Sequence, residues 1–192
     1  MRAGYLFFYF LFWIPSHILY PQRNRGRKNI PDGPCVICAN HSSFIDPLLI
    51  IYAFGLRYYL RCMSKQENMT KPVLGLICRW SGAYGVNRGE MDIAAVRTTL
   101  RLLQGGEKVL IFPEGTRTQT DNAEAGKTGA LRFSLKTDSP VLPVFVTRDK
   151  KLFHPVRVTI GEPYRLPPEA KTQMPHYTEQ LMQTIFALGE EI

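Results

Sequence analysis

The chain has 192 residues, 45% hydrophobic and 21% charged, which suits one globular domain with a core of useful size and excludes disorder as its dominant state. Four cysteines are too sparse to staple a chain of this length, so a disulfide scaffold is excluded and a reducing compartment is expected. The excess of 24 Lys and Arg over 16 Asp and Glu, a net charge of +8, points to an anionic partner: nucleic acid, a phosphorylated small molecule or an acidic membrane surface.

The N-terminal segment narrows that choice. From Ala3 to Gln22 there is no Asp, Glu, Lys or Arg, and Tyr5 to Ile14 reads YLFFYFLFWI, apolar or aromatic on every side of a helix. Tyr and Trp suit the lipid headgroup boundary. A full bilayer span takes about 20 apolar residues, and Pro15, Ser16 and His17 interrupt this run. The expectation is therefore a membrane-associating helical segment over residues 1–28 that inserts shallowly or re-enters, with Arg23, Arg25, Arg27 and Lys28 on anionic headgroups. The same cations put the domain that follows, residues 29–192, on the cytoplasmic face of the membrane. Ten apolar residues are also the length of a buried core helix, and that reading stays open. A cleaved signal peptide fits poorly, because no small-x-small site follows.

Beyond the basic segment, short β-branched runs alternate with helical ones, the pattern of an α/β domain with a mostly parallel central sheet flanked by helices. The first predicted strand, Cys35 to Ala39, runs into Asn-His-Ser-Ser-Phe-Ile-Asp-Pro, residues 40–47, and an apolar helix starts near Asp46. Functional groups at strand ends of such folds point into a crevice. A loop of this length can bring His41 and Asp46 within hydrogen-bond reach, where the carboxylate would fix the imidazole's tautomer and stabilise the imidazolium after proton capture. Asp before Pro also reads as a helix N-cap, and one residue can serve both ends. Ser42 and Ser43 lack the Gly-x-Ser-x-Gly elbow of a serine nucleophile, so direct attack by a substrate hydroxyl is the simpler chemistry.

A second predicted strand, Tyr58 to Met63, is followed by Lys65 and a helix from Lys71. A third, Ala83 to Val86, delivers Arg88 from its end. The helix from Glu90 places Ile93, Val96, Leu100 and Leu103 at core spacing, with Arg97 and Arg101 turned away. The strand Lys108 to Phe112 leads into Pro113-Glu114-Gly115-Thr116-Arg117. There Arg117 can clamp a phosphate and Gly115 lets the backbone approach a ligand. Glu114 can orient a substrate hydroxyl or hold the loop, although the same words make an ordinary turn. A polar surface loop, Thr118 to Gly126, precedes a helix from Lys127; strands Val141 to Val146 and Val156 to Ile160 and a helix from Pro175 complete the chain. Gly126-Lys127-Thr128 has Asp121 where a phosphate loop needs Gly. Cys35 and Cys38 lie within a strand, and Cys62 and Cys78 lack the second pair's spacing, so no metal site is expected. No nucleic-acid motif accompanies the basic balance.

Taken together, these words resemble the glycerolipid acyltransferases, typified by the 1-acylglycerol-3-phosphate acyltransferases. His41 to Asp46 matches the family's His-x4-Asp block, GAYGVNR its second block with Arg88, FPEGTR its third, and Val141-Leu142-Pro143-Val144 its fourth, in order from about Ile30 to Glu162. Asn87 stands where the family often has an acid, and the N-terminal lipid-binding region is shorter than expected. The resemblance implies transfer of a fatty acyl group from acyl-CoA or acyl carrier protein (acyl-ACP) to the hydroxyl of lysophosphatidic acid, giving phosphatidic acid, with the thioester as co-substrate and no cofactor. It implies His41 as general base oriented by Asp46, and Arg88 and Arg117 as a phosphate clamp, with Lys65 and Lys127 as further cations. Glu114, Gly115 and Thr116 would shape the acceptor site, and no acyl-enzyme is expected. Two other classes stand beside this: a lipid or thioester hydrolase using the same base, and a non-catalytic module that binds anionic lipid.

Overall fold

The computed structural model describes residues 2–87 and 92–190. The elements run α1 (Arg2–Leu19), β1 (Gln22–Arg25), β2 (Cys35–Ala39), α2 (Asp46–Phe54), β3 (Leu60–Lys65), α3 (Gln66–Thr70), α4 (Pro72–Trp80), β4 (Tyr84–Val86), α5 (Ile93–Gln104), β5 (Lys108–Ile111), α6 (Gly129–Thr137), β6 (Val141–Val146), β7 (Val156–Ile160) and α7 (Met174–Glu190). The seven strands form one sheet in the order β1-β7-β6-β2-β5-β3-β4. Every pairing is parallel except β6 with β7.

Central β2 is buried along its whole length, as expected of a strand covered on both faces. Its side chains alternate between two cores. Cys35, Ile37 and Ala39 pack with Tyr5 of α1 and with Leu49, Ile50 and Phe54 of α2. Val36 and Cys38 pack on the other side with Leu103 of α5, Leu131 of α6 and Leu181, Met182 and Ile185 of α7. Period-two alternation thus sends Cys35 and Cys38 to opposite faces, where they cannot share a ligand.

Several local expectations change. Helix α1 continues through Pro15 instead of stopping there. Proline removes only the backbone donor to the Leu11 carbonyl; one turn on, the Trp13 carbonyl meets His17 Nδ1 at 2.8 Å and accepts from Ser16 Oγ at 3.2 Å. The all-round apolar helix also divides into two faces. Tyr5, Phe8 and Ser16 are buried against the domain, whereas Phe7, Phe10, Ile14 and Ile18 are exposed. Among the described residues no helix is long and apolar enough to cross a membrane.

In α5 the predicted stripe is rotated. Ala95, Thr99 and Leu103 face inward while Ile93 and Val96 are exposed. The reason is polar: Thr99 Oγ1 meets the Tyr84 hydroxyl of β4 at 2.8 Å and bonds the Ala95 carbonyl, so this face is drawn to the sheet. The helix starts at Ile93, capped by Asp92, which accepts from the Ala95 N–H at 2.9 Å; Glu90 lies outside the described residues. Strand β3 begins two residues later than predicted, because Tyr58 precedes it and gives its carbonyl to the Tyr5 hydroxyl of α1. The basic stretch Gln22–Arg25, read only as a charged flank, is an edge strand paired with β7.

Candidate active site

The site lies at the C-terminal ends of β2 and β5, where open parallel sheets bind ligands. Asn40, the first residue past β2, takes the place of a ladder partner. Its side chain donates to the Val146 carbonyl at 2.8 Å and accepts from the Val146 N–H at 2.7 Å, clamping β2 to β6. His41 is therefore delivered from a fixed point.

The His41 Nδ1 to Asp46 Oδ2 distance is 2.9 Å. The same carboxylate oxygen accepts the Ser42 and Ser43 N–H groups at 2.8 and 2.7 Å. Asp46 occupies the first turn of α2, with Ile45 before it at the cap position and Pro47 after it. The N-cap reading is thus corrected: the carboxylate turns back onto the loop that carries His41, away from the helix N–H groups. The opposite oxygen, Oδ1, lies 2.7 Å from Lys150 Nζ, and the two side chains are 0% and 4% exposed. Burial alone would raise the Asp46 carboxyl. The hydrogen bond with His41, the Lys150 ammonium and the Ser43 N–H together hold it below its ordinary value.

The loop after β5 packs against this pair. The His41 ring stacks on Phe112, centroids 4.0 Å apart and planes 19° apart. Glu114 Oε2 accepts the His41 backbone N–H at 2.6 Å, and Thr118 N–H donates to the His41 carbonyl at 2.8 Å. The other Glu114 oxygen pairs with Arg148 Nη2. Arg148 also binds Asp121 through Nε at 2.6 Å and the Thr118 carbonyl through Nη1 at 2.8 Å. Burial raises the Glu114 carboxyl above its ordinary value against the pull of Arg148 and the His41 N–H. With both oxygens engaged, Glu114 holds the loop. Gly115 has φ +69°, a conformation that favours glycine, and the flexible end of the Lys127 side chain lies over it, its Cε 2.7 Å from where a Cβ would stand.

His41 opens onto an apolar cavity of about 380 Å³. Tyr5, Phe8 and Phe12 of α1 form one wall, Leu74, Ile77 and Cys78 of α4 another, and Phe44, Ile45 and Phe112 flank the imidazole. Lys65 lines the cavity too, its Nζ paired with Glu67 at 2.7 Å.

The structure thus unites His41, Asp46, Glu114 and Gly115, with Lys65 on the cavity wall. Lys127 lies over Gly115 and gives its N–H to the Pro113 carbonyl at 2.8 Å. Thr116 and Arg117 are exposed, and Arg117 has no hydrogen bond or ion pair among the described residues. Arg88 lies outside the described residues. Two residues the sequence reading missed are Arg148 and Lys150. Their one signal was position, as cations just beyond a strand end.

Fold and site together define an α/β protein that presents a carboxylate-oriented histidine to an apolar cavity. The family model described as Acyltransferase matches residues 22–147, and the chain belongs to that family. It is 29% identical over 131 residues to a 1-acyl-sn-glycerol-3-phosphate acyltransferase of Borreliella burgdorferi, covering 67% of this chain and 52% of that one. Against the protein of that name from Bacillus subtilis it is 29% identical over 179 residues, 87% of each chain. Against human 1-acyl-sn-glycerol-3-phosphate acyltransferase beta it is 32% identical over 141 residues, covering 66% of this chain and 49% of the human one. The chain thus spans about half the length of the Borreliella and human relatives. The crystal structure of the 1-acyl-sn-glycerophosphate (LPA) acyltransferase PlsC from Thermotoga maritima has the same fold, with a TM-score of 0.64 and 20% identity over 99% of this chain and 98% of that one.

Proposed function

We propose that the protein transfers a fatty acyl group from a thioester, acyl-CoA or acyl-ACP, to the free hydroxyl of 1-acylglycerol-3-phosphate, giving phosphatidic acid. The observation that carries this reading is the His41–Asp46 pair opening into the apolar cavity between α1 and α4. The names of the relatives support the choice of acceptor.

Asp46 can only accept, so Nδ1 carries the proton and Nε2 is left as the base. Nε2 takes the acceptor's hydroxyl proton as the oxygen attacks the thioester carbonyl. The tetrahedral intermediate collapses, the C–S bond breaks, and the imidazolium returns the proton to the leaving thiolate. The apolar cavity takes the acyl chain, and the activated carbonyl comes with the thioester, so no cofactor is assigned. Arg117, exposed and next in sequence to Thr118, whose N–H donates to the His41 carbonyl, and Lys65 on the cavity wall are assigned to the acceptor phosphate, together with Arg88; Thr116 belongs to the same loop and Lys127 lies against it.

Residues 1–28 are assigned as the membrane-anchoring part and 29–192 as the catalytic part. The exposed face of α1 would lie in the headgroup region at the cytoplasmic side, so an amphiphilic acceptor reaches His41 without full extraction into water.

Replacing His41 with Ala tests this. Transfer from labelled acyl thioester to lysophosphatidic acid should fall by about two to four orders of magnitude, with vesicle binding unchanged. Transfer that survives refutes the base. Product that forms independently of added lysolipid indicates a hydrolase, and wild-type binding without turnover indicates a lipid-binding module.

A further inference from the structure

The loop from Thr147 to Lys151, between β6 and β7, carries a buried ammonium that the reaction just described does not use. Lys150 Nζ sits 2.7 Å from Asp46 Oδ1 and donates to Ser42 Oγ at 2.8 Å; Ser42 Oγ in turn donates to the Arg148 carbonyl at 3.1 Å. The Lys150 side chain is 4% exposed, so it faces the carboxylate and not the cavity. A lysine gives up much hydration to be placed there, and burial favours its neutral form. Its partner is an aspartate with no exposure at all. One carboxylate thus serves two cationic demands: Oδ2 orients the imidazole and Oδ1 neutralises the ammonium.

We propose that Lys150 is an electrostatic positioning residue of the His–Asp pair, its charge limiting how strongly Asp46 favours the imidazolium over the free base. This rests on the reading of His41 as base. A bare buried carboxylate beside an imidazole stabilises the protonated ring and so lowers the fraction able to accept a proton. Lys150 draws part of that field to the far oxygen and leaves the orienting hydrogen bond in place. Of the other charges around the pair, Glu114 faces the His41 backbone N–H while paired with Arg148, which also holds Asp121; Lys65 pairs with Glu67 and Lys151 with Asp149. Lys150 is thus the cation that faces Asp46 directly among the described residues.

The test compares wild type, K150R and K150M. In K150M the acid limb of the kcat/KM profile should move to higher pH by about one unit, so that kcat/KM well below the limb falls about tenfold while the alkaline plateau changes little. K150R should keep the wild-type limb. The rate of His41 modification by diethyl pyrocarbonate, followed by mass spectrometry across pH, should shift the same way. That second readout needs no acyl transfer, so it still decides the proposal if the assigned reaction is wrong. A K150M loss that is equal at every pH, or a raised KM for lysolipid with the limb unmoved, overturns it in favour of packing or substrate contact. If K150M shows no cooperative thermal transition, D46N/K150M decides. Recovery of the transition supports charge pairing, and continued loss overturns it.

Discussion

Asp46 gathers two backbone N–H groups, the imidazole and an ammonium on one carboxylate, and this concentration of partners holds its folded-state pKa below the ordinary 3.8. A depressed carboxylate stabilises the fold at pH above its unfolded value, and the contribution is lost as pH falls through the lower folded value. Glu114 runs the other way. Its raised folded value means that its contribution is present below its ordinary 4.5 and lost as pH rises through the folded value. The thermal midpoint of the wild type should therefore drop as pH is lowered past about 3.8, and D46N should lack that part of the drop. Melts followed by circular dichroism across the acid range would show it; parallel curves for the two proteins would refute it. His41 and Asp46 were legible in sequence because chemistry and spacing coincide within one loop. Lys150 and Arg148 were not, since Thr-Arg-Asp-Lys-Lys carries no motif and its meaning comes from β6 ending beside β2.

Among the elements, α1 has two tasks. Tyr5 and Phe8 seal the core and the cavity while Phe10 and Ile14, each 59% exposed, point away from the domain. Outward apolar groups continue on α4, with Val73 and Trp80, and beyond the end of α1, with Leu152 and Phe153. Exposed apolar groups gathered on neighbouring elements are what an interaction face would present. The double change F10D/I14D should cut partition into lipid vesicles by about a hundredfold or more, given roughly 1.5–3 kcal/mol per large apolar side chain transferred. Stability should stay within about 0.5 kcal/mol because both sites are exposed. Vesicle sedimentation measures the first, and unchanged partition would remove α1 as the docking element. The central strands were readable from unbroken apolar runs, two-sided burial leaving no room for polar alternation. Gln22–Arg25 was not readable, because an edge strand held by backbone pairing with β7 needs no apolar side chains. Nor was the continuity of α1 through Pro15, because burial of Tyr5, Phe8 and Ser16 against the domain holds the helix on both sides of the one backbone bond that proline removes.

For the whole molecule, the proposed membrane role predicts that net charge and apolar surface act together on an anionic bilayer. With +8 overall and Arg23, Arg25 and Lys28 exposed, binding to vesicles containing acidic lipid should exceed binding to neutral ones. The difference should shrink about tenfold between low and high salt as the Debye length contracts. An equal affinity for neutral and acidic vesicles at low salt would show that apolar contact alone drives docking. The ends of the sheet matter in that setting. A lipid surface gathers copies of the chain into a thin layer, where local density is high and any bare strand invites pairing with a neighbour. The sheet's two terminal strands are only four and three residues long, and the longer carries two arginines pointing to water. Like charges meeting along that rim would repel, so copies crowded on such a surface are expected to stay separate instead of stitching their sheets together.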